Sequence, residues 1–182
     1  PRENDVKTND FQYLAWNDLR DEHAYLRWRD LKLANAEAAK NRDSVVIKNF
    51  ESPTDSERKE LILRCSKENL AGYQWESPSF DPQKTRYALR KFASAMGLTI
   101  AETHRSAGEA GVVALTVTDA PDQAGYIPYT PRPLSWHTDG YYNARKDRIG
   151  AFVLHCTRPA LEGGENMILD PEIAYIRLRD EN

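Results

Sequence analysis

The chain is 182 residues long, 40% apolar and 29% charged, with a net charge of −3. That length and balance predict one folded domain with a real hydrophobic core. The charge lacks the basic stripe that a nucleic-acid partner needs, and no apolar run nears the roughly 18 residues of a membrane span, so neither nucleic acid nor membrane is expected as a partner.

Residues 1–15 carry few apolar side chains and read as an N-terminal arm; residues 16–182 read as the folded part. From Asn17 to about Asn41, Leu19, Leu26 and Leu33 with Tyr25, Trp28 and Leu31 recur at helical spacing, predicting an amphipathic helix. Its apolar face can pack on its own sheet or on a second copy, so a homo-oligomer is among the expected states. Ser44 to Phe50 is a short β-branched run and a strand signal. Thr54-Asp55-Ser56-Glu57 has the form of a capping box and opens a helix running to about Glu68. Residues 71–80, aromatic and interrupted by Gly72 and Pro78, read as a loop.

Asp81-Pro82 supplies an N-cap and a proline at the first helical position, and Gly97 closes the helix that follows. Leu98–Thr103, Gly111–Thr118, Ile149–Thr157 and Asn166–Leu169 then read as strands. Asp170-Pro171 repeats the cap-plus-proline start and predicts a final helix. Helices come first and strands later without βαβ alternation, so the fold class is α+β with an antiparallel sheet.

The two cysteines, Cys65 and Cys156, are too far apart for a zinc knuckle or a disulfide framework. They are expected to be reduced and buried. With the polar start PRENDVKTND, which has no signal-peptide pattern, they predict a cytoplasmic location. The chain starts at Pro1 without a methionine and ends in what reads as a helical turn, which raises the expectation that it belongs to a longer polypeptide.

The stretch carrying chemistry is PLSWHTDGYY, residues 133–142. On an extended segment residues i and i+2 share a face, so the His137 imidazole and the Asp139 carboxylate converge while Thr138 turns away. An imidazole and a carboxylate, completed by a second imidazole, form the facial triad of non-haem Fe(II) oxygenases and leave coordination positions open for co-substrate and O2. Alone, His-x-Asp also fits a polar turn between strands. Its surroundings narrow the choice: Trp136, read as a buried aromatic, precedes it, Gly140 follows, and the apolar run 149–154 and the glycine turn at Gly163-Gly164 come next.

Together WHTDGYY, IGAFVLHCTRPALEGGEN and the closing segment with its Asp and short helix resemble the first half of the Fe(II)- and 2-oxoglutarate-dependent dioxygenases of the taurine dioxygenase (TauD/TfdA) type, including the γ-butyrobetaine hydroxylase-like branch. VVIKNFESPTDSERKEL resembles the family's opening strand and helix, so the likeness runs from about Ser44 to Asn182. It implies a double-stranded β-helix (jelly-roll) core with flanking helices, the second half of the barrel absent from this chain. It implies Fe(II) as cofactor, 2-oxoglutarate as co-substrate, O2, and a small-molecule substrate hydroxylated at an unactivated C–H bond with release of succinate and CO2.

The same resemblance makes His137 and Asp139 the first two iron ligands. Asn166, standing where many members have a threonine after the glycine turn, becomes the candidate contact to the distal 2-oxoglutarate carboxylate. Trp136, Tyr141, Tyr142 and Asn143 become candidate substrate contacts, with Tyr126 and Tyr129 flanking them. The retained Asp139 favours hydroxylation over halogenation, because related halogenases leave that ligand position free for chloride.

The family's third ligand, a downstream histidine, and its 2-oxoglutarate-binding arginine have no match. The four histidines are His23, His104, His137 and His155. Of these His155 lies in an apolar run and reads as a core residue, while Arg145, Arg148, Arg158, Arg177 and Arg179 come too early and read as solvated. His104-Arg105 is read as surface. Tyr73, Trp75 and Phe80 are read as a packed loop, with a lid as the other reading. Rival functions are a non-catalytic jelly-roll binding module, an inactive fragment that needs the missing half, and a zinc hydrolase built on His137 and Asp139.

Overall fold

A computed structural model describes residues 21–98, 111–121, 123 and 125–181. The expected arm, the strand residues 99–103 and His104-Arg105 lie outside the described residues. The chain divides into two compact units. The first comprises 21–49, 53–77 and 159–181, and the second 50–52 and 78–158, within the described residues.

The first unit holds α1 (Glu22–Ala39), β1 (Val45–Ile47), α2 (Asp55–Glu68), β2 (Tyr73–Trp75) and, under the label α4, Pro171–Asp180. Local signals set each helix. Asp21 accepts from the Ala24 amide and Asp170 from the Glu172 amide, while Thr54 and Glu57 close a reciprocal capping box. Asn69 ends α2 in the left-handed conformation, φ 59°.

The strands pair in parallel, Val45 with Tyr73 and Ile47 with Trp75. This corrects two expectations, the antiparallel sheet and the loop at 71–80. Parallel neighbours require a crossover, and α2 is that crossover. Three strand residues between Gly72 and Pro78 are too few to show a period. Ile47 and Ile176 are fully buried in the core and Leu61 nearly so.

α1 buries a different face from the one its leucines suggest. Leu26 and Leu31 are exposed, whereas Tyr25 and Lys32 are buried. The Lys32 ammonium lies 2.8 Å from Asp170 and 2.6 Å from Glu172, and donates to the Lys67 carbonyl at 3.2 Å. Two carboxylates at the start of α4 thus select a cation over a leucine. Tyr25 donates to Asp180 at 3.0 Å, and the Arg179 guanidinium lies 3.6 Å from its ring centre while pairing with Glu22 at 2.9 Å. Arg179 is therefore packed rather than solvated.

The second unit holds α3 (Pro82–Ala95) and two 3-10 turns, Ile127–Tyr129 and Arg145–Asp147. Asp81 accepts from the Gln83 and Lys84 amides, and Gly97 at φ 84° ends the helix as its position predicts. Thr85, Ala88 and Phe92 face inward; Phe92 stacks on Phe50 with centroids 4.3 Å apart.

In neither unit do the described residues of 111–118, 149–157 and 166–169 form strands. They are apolar enough, but a strand exists only within a ladder of hydrogen bonds to a neighbour, and among the described residues the one ladder is β1–β2, although the Thr118 N–H donates to the Tyr129 carbonyl at 3.0 Å. Leu115, Val117, Phe152, Leu154, Met167 and Ile168 are accordingly exposed. The element content is α+β, and the described residues build one two-stranded sheet rather than a double-stranded β-helix. Cys65 and Cys156, expected to be buried, are both exposed and free, since neither packs into the helical core.

Candidate metal centre

His137 and Asp139 lie in the second unit on a loop, not a strand. His137 has irregular backbone, and Asp139 opens a turn over residues 139–142. After the pair, Gly140 turns the chain with φ at +67°, and the Asn143 backbone N–H closes the turn onto the Gly140 carbonyl at 2.8 Å. A Cβ at Gly140 would sit 2.9 Å from the Asn143 side-chain nitrogen and from Ile149 side-chain carbons, so the position excludes larger residues twice, by conformation and by space.

The two side chains meet: His137 Nε2 lies 3.4 Å from Asp139 Oδ1. His137 Nδ1 is 2.9 Å from the Ser135 carbonyl. A carbonyl only accepts, so a ring proton is assigned to Nδ1, and Nε2 faces the carboxylate. An imidazole nitrogen and a carboxylate oxygen are donors of the kind that divalent metal ions take. An Nδ1–H held by a backbone carbonyl is also how metal-binding imidazoles are oriented. Both side chains are about half exposed, at 42% and 51%, so the pair opens to solvent.

No group of three or more His, Cys, Asp or Glu residues able to hold a metal occurs among the described residues. His155 does not join the pair. Its ring packs 5.5 Å from that of Phe50, and burial pushes its pKa below the ordinary value, as for a core histidine. His23 is exposed on α1, in the other unit.

The candidate substrate contacts divide. Tyr141 and Tyr142 follow the pair directly, form an edge-to-face couple with centroids 5.2 Å apart, and are 76% and 66% exposed. Trp136, read as buried, is 65% exposed because the described residues put nothing over its face. Asn143 is half-buried and donates its side-chain amide to the Asp147 carbonyl at 3.0 Å. Tyr129 is buried while Tyr126 is exposed. Asn166 belongs to the first unit, is exposed, and donates to the Gly164 carbonyl at 3.3 Å. Tyr73 and Trp75 form β2 in the first unit, and Phe80 is exposed in the second. The sequence reading missed the Ser135 carbonyl and the Gly140 floor; the glycine directly after His-x-Asp was the available signal.

A family model described as taurine catabolism dioxygenase TauD, TfdA family matches residues 78–182. The chain belongs to the TauD/TfdA family. The matched stretch contains the His137–Asp139 pair with its turn, both glycines of the 163–164 turn, and α4. Neither curated proteins nor solved structures give a significant match. TauD/TfdA membership rests on the sequence of residues 78–182, and the approach of His137 to Asp139 on the local geometry at 135–143.

Proposed function

We propose that the chain is the part of a non-haem Fe(II)- and 2-oxoglutarate-dependent dioxygenase that supplies the first two iron ligands, His137 and Asp139. The carrying observation is the 3.4 Å approach of Nε2 to the carboxylate, with Nδ1 held by Ser135, inside the stretch that matches the TauD/TfdA family. When bound, Fe(II) supplies activation of O2 coupled to decarboxylation of 2-oxoglutarate, giving succinate, CO2 and a hydroxylated small-molecule substrate.

The chain's own residues orient this chemistry. The Ser135 carbonyl holds Nδ1 and the plane of the His137 ring, with the Asp139 carboxylate 3.4 Å from Nε2 and the Gly140 turn directly after it. Tyr141 and Tyr142 present ring faces for substrate. A jelly-roll fold would give the apolar segments 111–118 and 149–157 the strand ladder that they do not form among the described residues. The second imidazole and the anchoring arginine then come from residues other than these 182. Two free cysteines support a cytoplasmic setting.

The test is succinate formation from 2-oxoglutarate by a polypeptide containing this chain, with and without Fe(II). Turnover should require Fe(II) and be lost in His137→Ala and in Asp139→Ala. Undiminished turnover in either variant removes the proposal.

A further inference from the structure

We propose that Asn143 is a positioning residue for the Asp139 carboxylate, an inference that rests on the metal reading above. Asp139 is the first residue of a turn whose second residue, Gly140, is left-handed. Such a turn holds its direction only if the chain beyond it is tied back. Asn143 does this twice: its backbone N–H donates to the Gly140 carbonyl at 2.8 Å, and its side-chain amide donates to the Asp147 carbonyl at 3.0 Å. Asp147 is itself held, its N–H donating to the Ala144 carbonyl at 2.8 Å within the 3-10 turn Arg145–Asp147. One residue therefore joins two successive turns, closing 139–142 with its backbone N–H and reaching 145–147 with its side chain.

The same amide group also floors the ligand loop. Its nitrogen lies 2.9 Å from where a Cβ of Gly140 would be, beside the Ile149 side chain. The Gly140 backbone, and with it the Asp139 carboxylate 3.4 Å from His137 Nε2, rests on Asn143 and Ile149. The hydrogen-bonded amide thus acts on the metal through Asp139 and on the substrate only through the site it shapes. Groups that hold a ligand without touching the metal typically change metal affinity by about 10–100-fold when removed.

The experiment is a Co(II) titration of the 182-residue chain, read from paramagnetic broadening of the His137 ring signals in protein labelled at histidine. NMR reads millimolar binding, so a weak two-ligand site is within range. Asn143→Leu keeps the size and removes the amide without adding charge. It should weaken Co(II) binding about tenfold with an unchanged thermal midpoint. Asn143→Leu binding as tightly as the parent overturns the role of Asn143 and leaves the metal reading intact. If the parent shows no broadening, or broadening indistinguishable from that of a site-directed Asp139→Ala control, the metal reading fails and this inference fails with it. Should Asn143→Leu not fold, the parent chain decides: side-chain amide protons of Asn143 exchanging at the rate of a free asparagine overturn the clasp, and slowed exchange supports it.

Discussion

The slot between α1 and α4 and the loop 133–149 solve the same problem, holding charged groups in place, in opposite ways. In the slot Lys32 is 5% exposed, with Asp170 at 11% and Glu172 at 16%, and each charge has its counter-charge within 3 Å. In the loop His137 and Asp139 are about half exposed, with Nε2 facing Oδ1 at 3.4 Å. The first arrangement is shut away from solvent; the second is open to it. A buried, fully paired cluster reads as architecture, whereas a converged and accessible imidazole and carboxylate read as a binding site.

Lys32→Met breaks the first arrangement and carries the largest expected effect. The substitution keeps the aliphatic stem but leaves two buried carboxylates facing each other without a cation. Removing one partner from a buried ion pair costs about 3–5 kcal/mol, a large share of the stability of a domain. Urea unfolding at neutral pH should show a loss of that order, while the His137–Asp139 loop keeps its own geometry. A loss under about 1 kcal/mol, the range of an exposed pair, would place Lys32 in solvent.

The contrast also explains what was legible in the sequence. Thr54 with Glu57, Asp81-Pro82 and Asp170-Pro171 marked helix starts because a cap is a contract between residues two or three apart. Lys32 was hidden because its partners stand far along the chain, on α4, and a leucine face nearby looked like the better core. β2 was hidden by its length. The strands expected at 111–118 and 149–157 had the right composition, but pairing is a property of two segments and not of one. His137 and Asp139 were legible as a pair through their spacing, while the left-handed turn at Gly140 lay one residue further on.

Gly140→Ala sharpens the comparison from the loop's side. A left-handed φ costs a residue with a Cβ about 1–2 kcal/mol, and here the added carbon also meets Asn143 and Ile149. Stability in urea should fall by about that amount, less than for Lys32→Met. Co(II)-induced broadening at His137 should weaken as Asp139 is displaced. Full retention of both would mean that the turn is not what aims the carboxylate.

The smallest effect is a pH dependence from His155, the histidine that burial excludes from the ligand pair. Burial against Phe50 disfavours its charged form, so its folded pKa lies below the unfolded value of about 6.5. Above pH 6.5 the ring is neutral in both states and its contribution to stability is whole. As pH falls below 6.5 the unfolded chain takes up a proton that the folded chain resists, so stability declines until the folded pKa is passed. Urea midpoints at pH 7.5 and 5.5 should therefore drop in the parent chain, and His155→Leu should flatten part of that slope. A solvated His155 would not show this behaviour: the variant would then keep the parent's slope, and burial would no longer be the reason that His155 stands apart from the His137–Asp139 pair.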